Sequence, residues 1–185
     1  MKIAFIIFNE ITWLDLIGVY DAIFRLKHMN FVPDLEWDFC AQTGLASDHY
    51  GLTVVPNKIN QPLDEYDAII VPGGYGTRTL TRDENFLNWI RTAQNSNWKI
   101  SICTGSLILG AAGFLKDKKA TTHFSEYETL KNFCKEVSRE RIVEDGNTIT
   151  AGAVSSSLDL GLYLSQKWAG EEAAKIIRER MAYRG

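Results

Sequence analysis

The stretch KISICTGSLILGAAG (residues 99–113) sets a single cysteine at the join between two kinds of pattern. Before Cys103, Ile100 and Ile102 alternate with polar neighbours as a strand does; after it comes a Gly-rich apolar run with helical character. A strand that turns sharply into a helix through Ser101–Ile102–Cys103–Thr104–Gly105 has the layout of a nucleophile elbow, with Cys in the place of Ser. In that layout the thiol is presented rather than buried. The N–H groups and dipole of the following helix then lower its pKa and steady an anionic intermediate. The competing reading is a small apolar core residue, which is the one favoured for Cys40 and Cys134.

Outward from this stretch, strands alternate with helices. KIAFIIF (2–8) is a continuous apolar run, the pattern of a strand covered on both faces, and from Trp13 to Leu26 apolar residues recur with a helical period. LEWDFCA (35–41) alternates as a second strand, and residues 44–56 suggest a small hairpin. Asp67–Val71 is the next buried strand and runs into the loop PGGYGTRT (72–79). Thr81 with Glu84 matches a capping box for a helix through Phe86, Leu87 and Ile90, and the helix after Cys103 is expected to reach about Phe114. Ser125 with Glu128 matches another, for a helix ending near Cys134. In RIVEDGNTITAG (141–152) Asp145-Gly146 reads as a hairpin turn; Ser155–Ser157 then cap a long helix that Gly170 breaks before a last amphipathic one.

This alternation predicts an α/β domain spanning residues 1–185, with a mostly parallel sheet, helices on both faces and right-handed crossovers. Ligands of such sheets bind beyond the carboxyl ends of the strands, which selects residues 9–15, PGGYG and CTGS. Composition supports an ordinary globular domain: 45% of the 185 residues are hydrophobic and 23% charged. A net charge of −3 with no basic cluster argues against nucleic acid, and KDKK (116–119) reads as a solvated loop. No segment has the apolar length of a membrane span or the shape of a leader, and three widely spaced cysteines fit a reducing cytoplasm.

Other residues near those loops carry chemistry of their own. Asp15 lies among Trp13, Leu14, Leu16 and Ile17, which would desolvate it, raise its pKa and make it a proton donor or acceptor; an acid favouring the helix dipole is the equal alternative. Gly73-Gly74 is either a plain loop pair at a strand end or lets bare amides approach a substrate atom near the thiol, whereas a dinucleotide fingerprint should follow the first strand, where FNEIT stands instead. His28, His49 and His123 are too scattered for a metal set; His123 either lines the pocket or is a satisfied structural residue.

LDLIGVYDA around Asp15, VPGGYG (71–76), CTGSLILGAAGFL (103–115), ATTHF (120–124) and AGAVSSSLDLGLYL (151–164) together resemble the ThiJ/PfpI superfamily over nearly the whole chain. The resemblance implies a flavodoxin-like three-layer sandwich, commonly dimeric, with no cofactor. Thr104 stands where the protease-like branch has His, and Cys103-Thr104 with Asp15 and ATTH is similar to the isonitrile hydratase branch and to ligand domains of some AraC-type regulators. The chain stops after the last helix, with no room expected for a helix-turn-helix. On this likeness Cys103 attacks a small electrophile, Asp15 supplies a proton, Thr104 orients water, and amides near Gly74 and Thr104 hold developing charge, with Tyr75 and His123 in the pocket. Glyoxalase or amidase chemistry, or reversible oxidation of Cys103 in a sensor, are the other readings. Val19, Asp21, Tyr75 and GTRT depart from the pattern, the last two in the loop that shapes the pocket.

Overall fold

In the computed structural model, which describes residues 1–184, β1 (Lys2–Ile6) leads into α1 (Trp13–His28) and β2 (Glu36–Ala41). Gly185, included in the expected domain, lies outside the described residues. A hairpin of β3 (Ala46–Ser47) and β4 (Thr53–Val54) follows, then β5 (Lys58–Ile59), β6 (Ala68–Val71), α2 (Thr77–Leu80) and α3 (Glu84–Arg91). The second half runs through β7 (Trp98–Ile102), α4 (Gly105–Ala111), β8 (Lys119–Ala120), α5 (Tyr127–Leu130) and β9 (Glu136–Val137). It ends with β10 (Ile142–Asp145), β11 (Thr148–Ala151), α6 (Ser156–Ala169) and α7 (Glu171–Arg180).

The central sheet has seven strands in the order β10-β11-β7-β6-β1-β2-β5, all parallel except the edge strand β10. The interior strands are apolar on both faces, as a sheet covered twice requires: β6 is buried at every residue and β1 from Ile3 onward. Helices α1, α6 and α7 pack on one another, and α2 and α3 pack with α4, giving the two outer layers of the α/β sandwich. Lys99 sits inside β7 without breaking the rule, because its ammonium donates to the carbonyls of Gln94 (2.8 Å) and Ser96 (2.6 Å).

Several boundaries differ from the sequence expectation for local reasons. Asp83, not Thr81, starts α3: its carboxylate accepts from the N–H groups of Asn85 and Phe86, while Thr81 donates to the Arg78 carbonyl. The helix expected from Ser125 to Cys134 is a 3-10 turn (Phe124–Glu126) followed by one turn of α5, and its cap is His123, whose Nδ1 accepts from the Ser125 N–H. Helix α4 stops at Ala111 rather than Phe114, with Gly113 in the left-handed region (φ 94°) just beyond. The final hairpin turns at Gly146-Asn147, one residue later than expected. Lys119, placed in a solvated loop by its charge, begins β8 and pairs with Glu136 of β9.

This order makes β11, β7, β6 and β1 consecutive neighbours. Their carboxyl ends therefore open onto one place, and the loops after all four meet there.

Candidate active site

Cys103 follows β7 with φ 54°, a left-handed conformation costly for a side chain with a Cβ. The elbow is held from both sides of its peptide. Its N–H donates to the carbonyls of Ala151 (3.0 Å) and Gly152 (2.8 Å) at the end of β11, and its own carbonyl accepts from Ser106 Oγ (3.1 Å) and Thr122 Oγ1 (3.0 Å). The thiol is not presented to bulk solvent as the sequence suggested: Cys103 is 5% exposed, at the floor of a cavity of about 210 Å³.

Asp15 stands behind the thiol and is wholly buried. It does not cap α1; its Oδ2 instead accepts from the Gly73 N–H (2.9 Å), 58 residues away, and Oδ1 has no hydrogen-bond partner. Burial pushes its carboxyl up to about 7, against the opposing pull of the Gly73 amide and of Cys103. The thiol is pushed the same way, to about 12, by burial first and by the Asp15 charge second, while the Thr104 amide and hydroxyl pull it down. The expected low-pKa thiolate is thus corrected. The helix N-terminus is present, but desolvation and a neighbouring carboxyl outweigh it.

Thr104 and the glycine loop close a ring around this pair. The Gly74 N–H donates to Thr104 Oγ1 (3.0 Å), and that hydroxyl donates back to the Gly74 carbonyl (3.3 Å). Gly73 must be glycine: a Cβ there would lie 2.7 Å from the Thr104 N and 2.8 Å from Asp15 Oδ2. The amides of Gly73 and Gly74, expected to be bare and turned to substrate, are therefore occupied by Asp15 and Thr104. The Thr104 hydroxyl likewise faces Gly74: its proton goes to the Gly74 carbonyl and one lone pair to the Gly74 N–H.

Tyr75 and His123 both line the cavity. Ser125 bonds to His123 Nδ1 through its N–H (3.2 Å) and its hydroxyl (2.8 Å), which in the neutral ring leaves the proton on Nε2. His28 and His49 do not line it. Sequence reasoning did not place Thr12, Arg78, Ser125 or Val154 in the site, and these complete the wall. Thr12 falls in a loop it had selected and Arg78 two residues beyond PGGYG; Val154 follows β11, whose place beside β7 a hairpin pattern does not reveal. Among the described residues no cluster of three or more His, Cys, Asp or Glu could hold a metal ion, and no helix is long and apolar enough to cross a membrane.

Comparison with known proteins places this chain among relatives. The profile of the DJ-1/PfpI family matches residues 1–167. The chain is 33% identical over 184 residues to the isonitrile hydratase of Pseudomonas putida, covering 99% of this chain and 78% of that protein. It is 26% identical over 156 residues to deglycase PfpI of Pyrococcus furiosus, covering 82% of this chain and 89% of the relative. Among solved structures, a ThiJ/PfpI family protein from Pseudomonas syringae superposes with a TM-score of 0.90 at 27% identity, covering 100% of this chain and 75% of the other.

Proposed function

The chain belongs to the DJ-1/PfpI family, and we propose that it is a cysteine-dependent hydro-lyase of the isonitrile hydratase type, adding water to a small isonitrile to give an N-substituted formamide. The observation that carries the proposal is the Cys103–Asp15 pair: a neutral thiol beside a buried carboxyl whose Oδ1 is unengaged and whose pKa lies near 7. Such a pair needs no standing thiolate. The Cys103 proton passes to Asp15 and from there to the terminal carbon of the isonitrile as sulfur bonds to that carbon, giving a thioimidate. Water then adds to the thioimidate carbon, the carbon–sulfur bond breaks, and the formamide leaves with the thiol restored.

The cavity supports a small substrate, since about 210 Å³ lies below the roughly 300 Å³ at which drug-sized pockets begin. The test is to incubate the purified protein with a neutral isonitrile, cyclohexyl isonitrile, and with an anionic one, isocyanoacetate, and follow the formamide by NMR. No formamide from the wild type, or undiminished formation by Cys103→Ala, would overturn the reading. Glyoxalase-type chemistry is a second reading, favoured by the likeness to deglycase PfpI and by an imidazole on the cavity wall. Lactate formed from methylglyoxal, with loss in His123→Ala, would replace the first reading with it. A redox sensor draws less support, because it needs an exposed, readily ionised thiol and Cys103 is neither.

We place the protein in a reducing compartment, the cytoplasm, on the evidence of three unpaired cysteines, and as a homodimer in solution. Leu14 and Ile17 are exposed on the first turns of α1, as are Leu45, Leu52 and Val55 around the β3–β4 hairpin that Trp13 Nε1 joins through the Leu52 carbonyl. Light scattering that returns a monomer mass would overturn the dimer.

A further inference from the structure

The cavity has a second end, 25 residues before the cysteine in the chain, and its chemistry differs from that of the floor. Arg78 lies in α2 at the mouth. Its Nη2 donates to Glu126 Oε1 (2.7 Å) across the opening, and its guanidinium sits 5.2 Å from the centre of the Tyr75 ring. Glu126 is itself fixed, because its second oxygen accepts from Thr129 Oγ1 (2.9 Å). The guanidinium is thus held in place by a ring beneath it and a single bond at one corner. Among the described residues its Nε and Nη1 have no intramolecular partner, and the side chain is half exposed. Among the described residues none that lines the cavity carries a carboxylate, and Asp15 is buried behind the thiol.

We propose that Arg78 reads the substrate: the site selects small electrophiles that carry a carboxylate at the end away from the reacting carbon. Glu126 takes one N–H of Nη2, so the second N–H of Nη2 with its neighbour on that edge offers a carboxylate two parallel donors, and a bond to a charged partner is stronger than a neutral one. The arrangement also orients the molecule. The negative end is drawn to Arg78 and repelled from Asp15, which leaves the electrophilic carbon over the Cys103 sulfur. For the reading of the site given above, the substrate class is an isonitrile bearing a carboxylate.

The inference rests on Cys103 as the reacting group but not on isonitrile hydration, and the test keeps the two apart. Iodoacetate and iodoacetamide are a matched pair of probes, one anionic and one neutral. With each, a carbon–sulfur bond forms as the carbon–iodine bond breaks, iodide leaves, and the thiol proton passes to water. Rates of modification at the Cys103 peptide are read by mass spectrometry, and their ratio cancels any general change in thiol reactivity. The anionic-to-neutral ratio is expected to fall roughly threefold to tenfold in Arg78→Gln, to be partly kept in Arg78→Lys, and to shrink in the wild type as salt is added. In Glu126→Gln it should hold or rise, since the guanidinium loses a competing acid. An unchanged ratio in Arg78→Gln, or an equal fall in Glu126→Gln, overturns the proposal and makes the ion pair a latch between loops. Failure of both reagents at Cys103 overturns it together with the role of the cysteine, whereas absence of formamide with an intact ratio overturns hydration alone.

Discussion

Asp15 offers the sharpest test of the site, because its burial predicts opposite changes in stability and in activity. In the unfolded chain an Asp titrates near 3.8, and in the folded protein Asp15 is pushed up to about 7. Below about pH 4 both states hold the proton and the group contributes no pH dependence. Between the two values the folded state keeps a proton the unfolded state has released, so unfolding free energy falls as pH rises. A shift of roughly three units at 1.36 kcal/mol each gives a loss of about 4 kcal/mol, complete by about pH 8. Asp15→Asn has the same shape, keeps an acceptor for the Gly73 N–H and never ionises. Less the cost of satisfying the new amide N–H groups, it should be more stable than wild type by about 2–4 kcal/mol at pH 8. In a domain of this size that is a melting temperature higher by about 5–15 °C. The advantage should vanish near pH 4.

The assay is urea or thermal unfolding of both proteins from pH 4.5 to 8.5, taking the difference so that other titrating groups cancel. Formamide production should be lost in the variant. Alkylation of Cys103 by iodoacetamide at pH 8 should speed up, because the neighbouring negative charge that raises the thiol pKa has gone. A variant less stable than wild type at pH 8, or a difference independent of pH, refutes the reasoning. Asp15 would then be a structural acid whose ionised form the fold favours.

Other predictions concern the ring that holds this pair. Thr104→Val removes the acceptor of the buried Gly74 N–H and should cost about 1–3 kcal/mol in urea unfolding, while Thr104→Ser restores most of it. Gly73→Ala drives a methyl into the Thr104 amide and the Asp15 carboxylate; loss of turnover together with about 1–3 kcal/mol of stability is expected. In His123→Ala the cap of the 3-10 turn is lost, so stability should fall by about 0.5–2 kcal/mol, and, where isonitrile hydration is the reaction, KM should change more than kcat. Each variant is read by unfolding and by turnover on one preparation.

The parts of this architecture that can be read in the chain are those set by long-range periodicity. β7 and the turn at Cys103 are legible because alternation over five residues gives way to a Gly-rich apolar run; the left-handed turn itself falls on Cys103, and Gly105 serves a close approach to the Val71 carbonyl. The two-residue strands β5, β8 and β9 carry no period at all, and they exist because a neighbouring strand offers them donors and acceptors. Capping boxes mislead for a related reason. In TRDE and HFSE several side chains could accept from the first free N–H groups, and the backbone path, not the spacing, chooses Asp83 and His123. The pKa of Cys103 fails in the same way: a helix N-terminus is visible in sequence, but a carboxyl 88 residues earlier in the chain, packed against the thiol, is not. Arg78, in a four-residue helix, looks in sequence like any solvated arginine.

The occupied amides of the glycine loop bear on which chemistry the site can perform. Acyl transfer builds an oxyanion and needs preorganised N–H donors aimed at it. Here the Gly73 N–H holds Asp15 and the Gly74 N–H holds Thr104, so a substrate oxygen could recruit either only by breaking a buried hydrogen bond, and of the expected amides the Thr104 N–H beside the thiol is left. Forming a thioimidate from an isonitrile creates no oxyanion in that step, because the carbon that gains sulfur also gains a proton. The requirement is a proton donor at fixed distance from the nucleophile. The chain of contacts from Asp15 through Gly73, Gly74 and Thr104 to Cys103 supplies that, because the backbone of the glycine loop receives the buried Asp15 carboxyl on one side and the buried Thr104 hydroxyl on the other. The same loop then continues outward to Tyr75 and Arg78. Proton delivery is fixed by the inner half of one loop and substrate choice by its outer half, so the selectivity of this site can change at Arg78 without disturbing the pair beneath it.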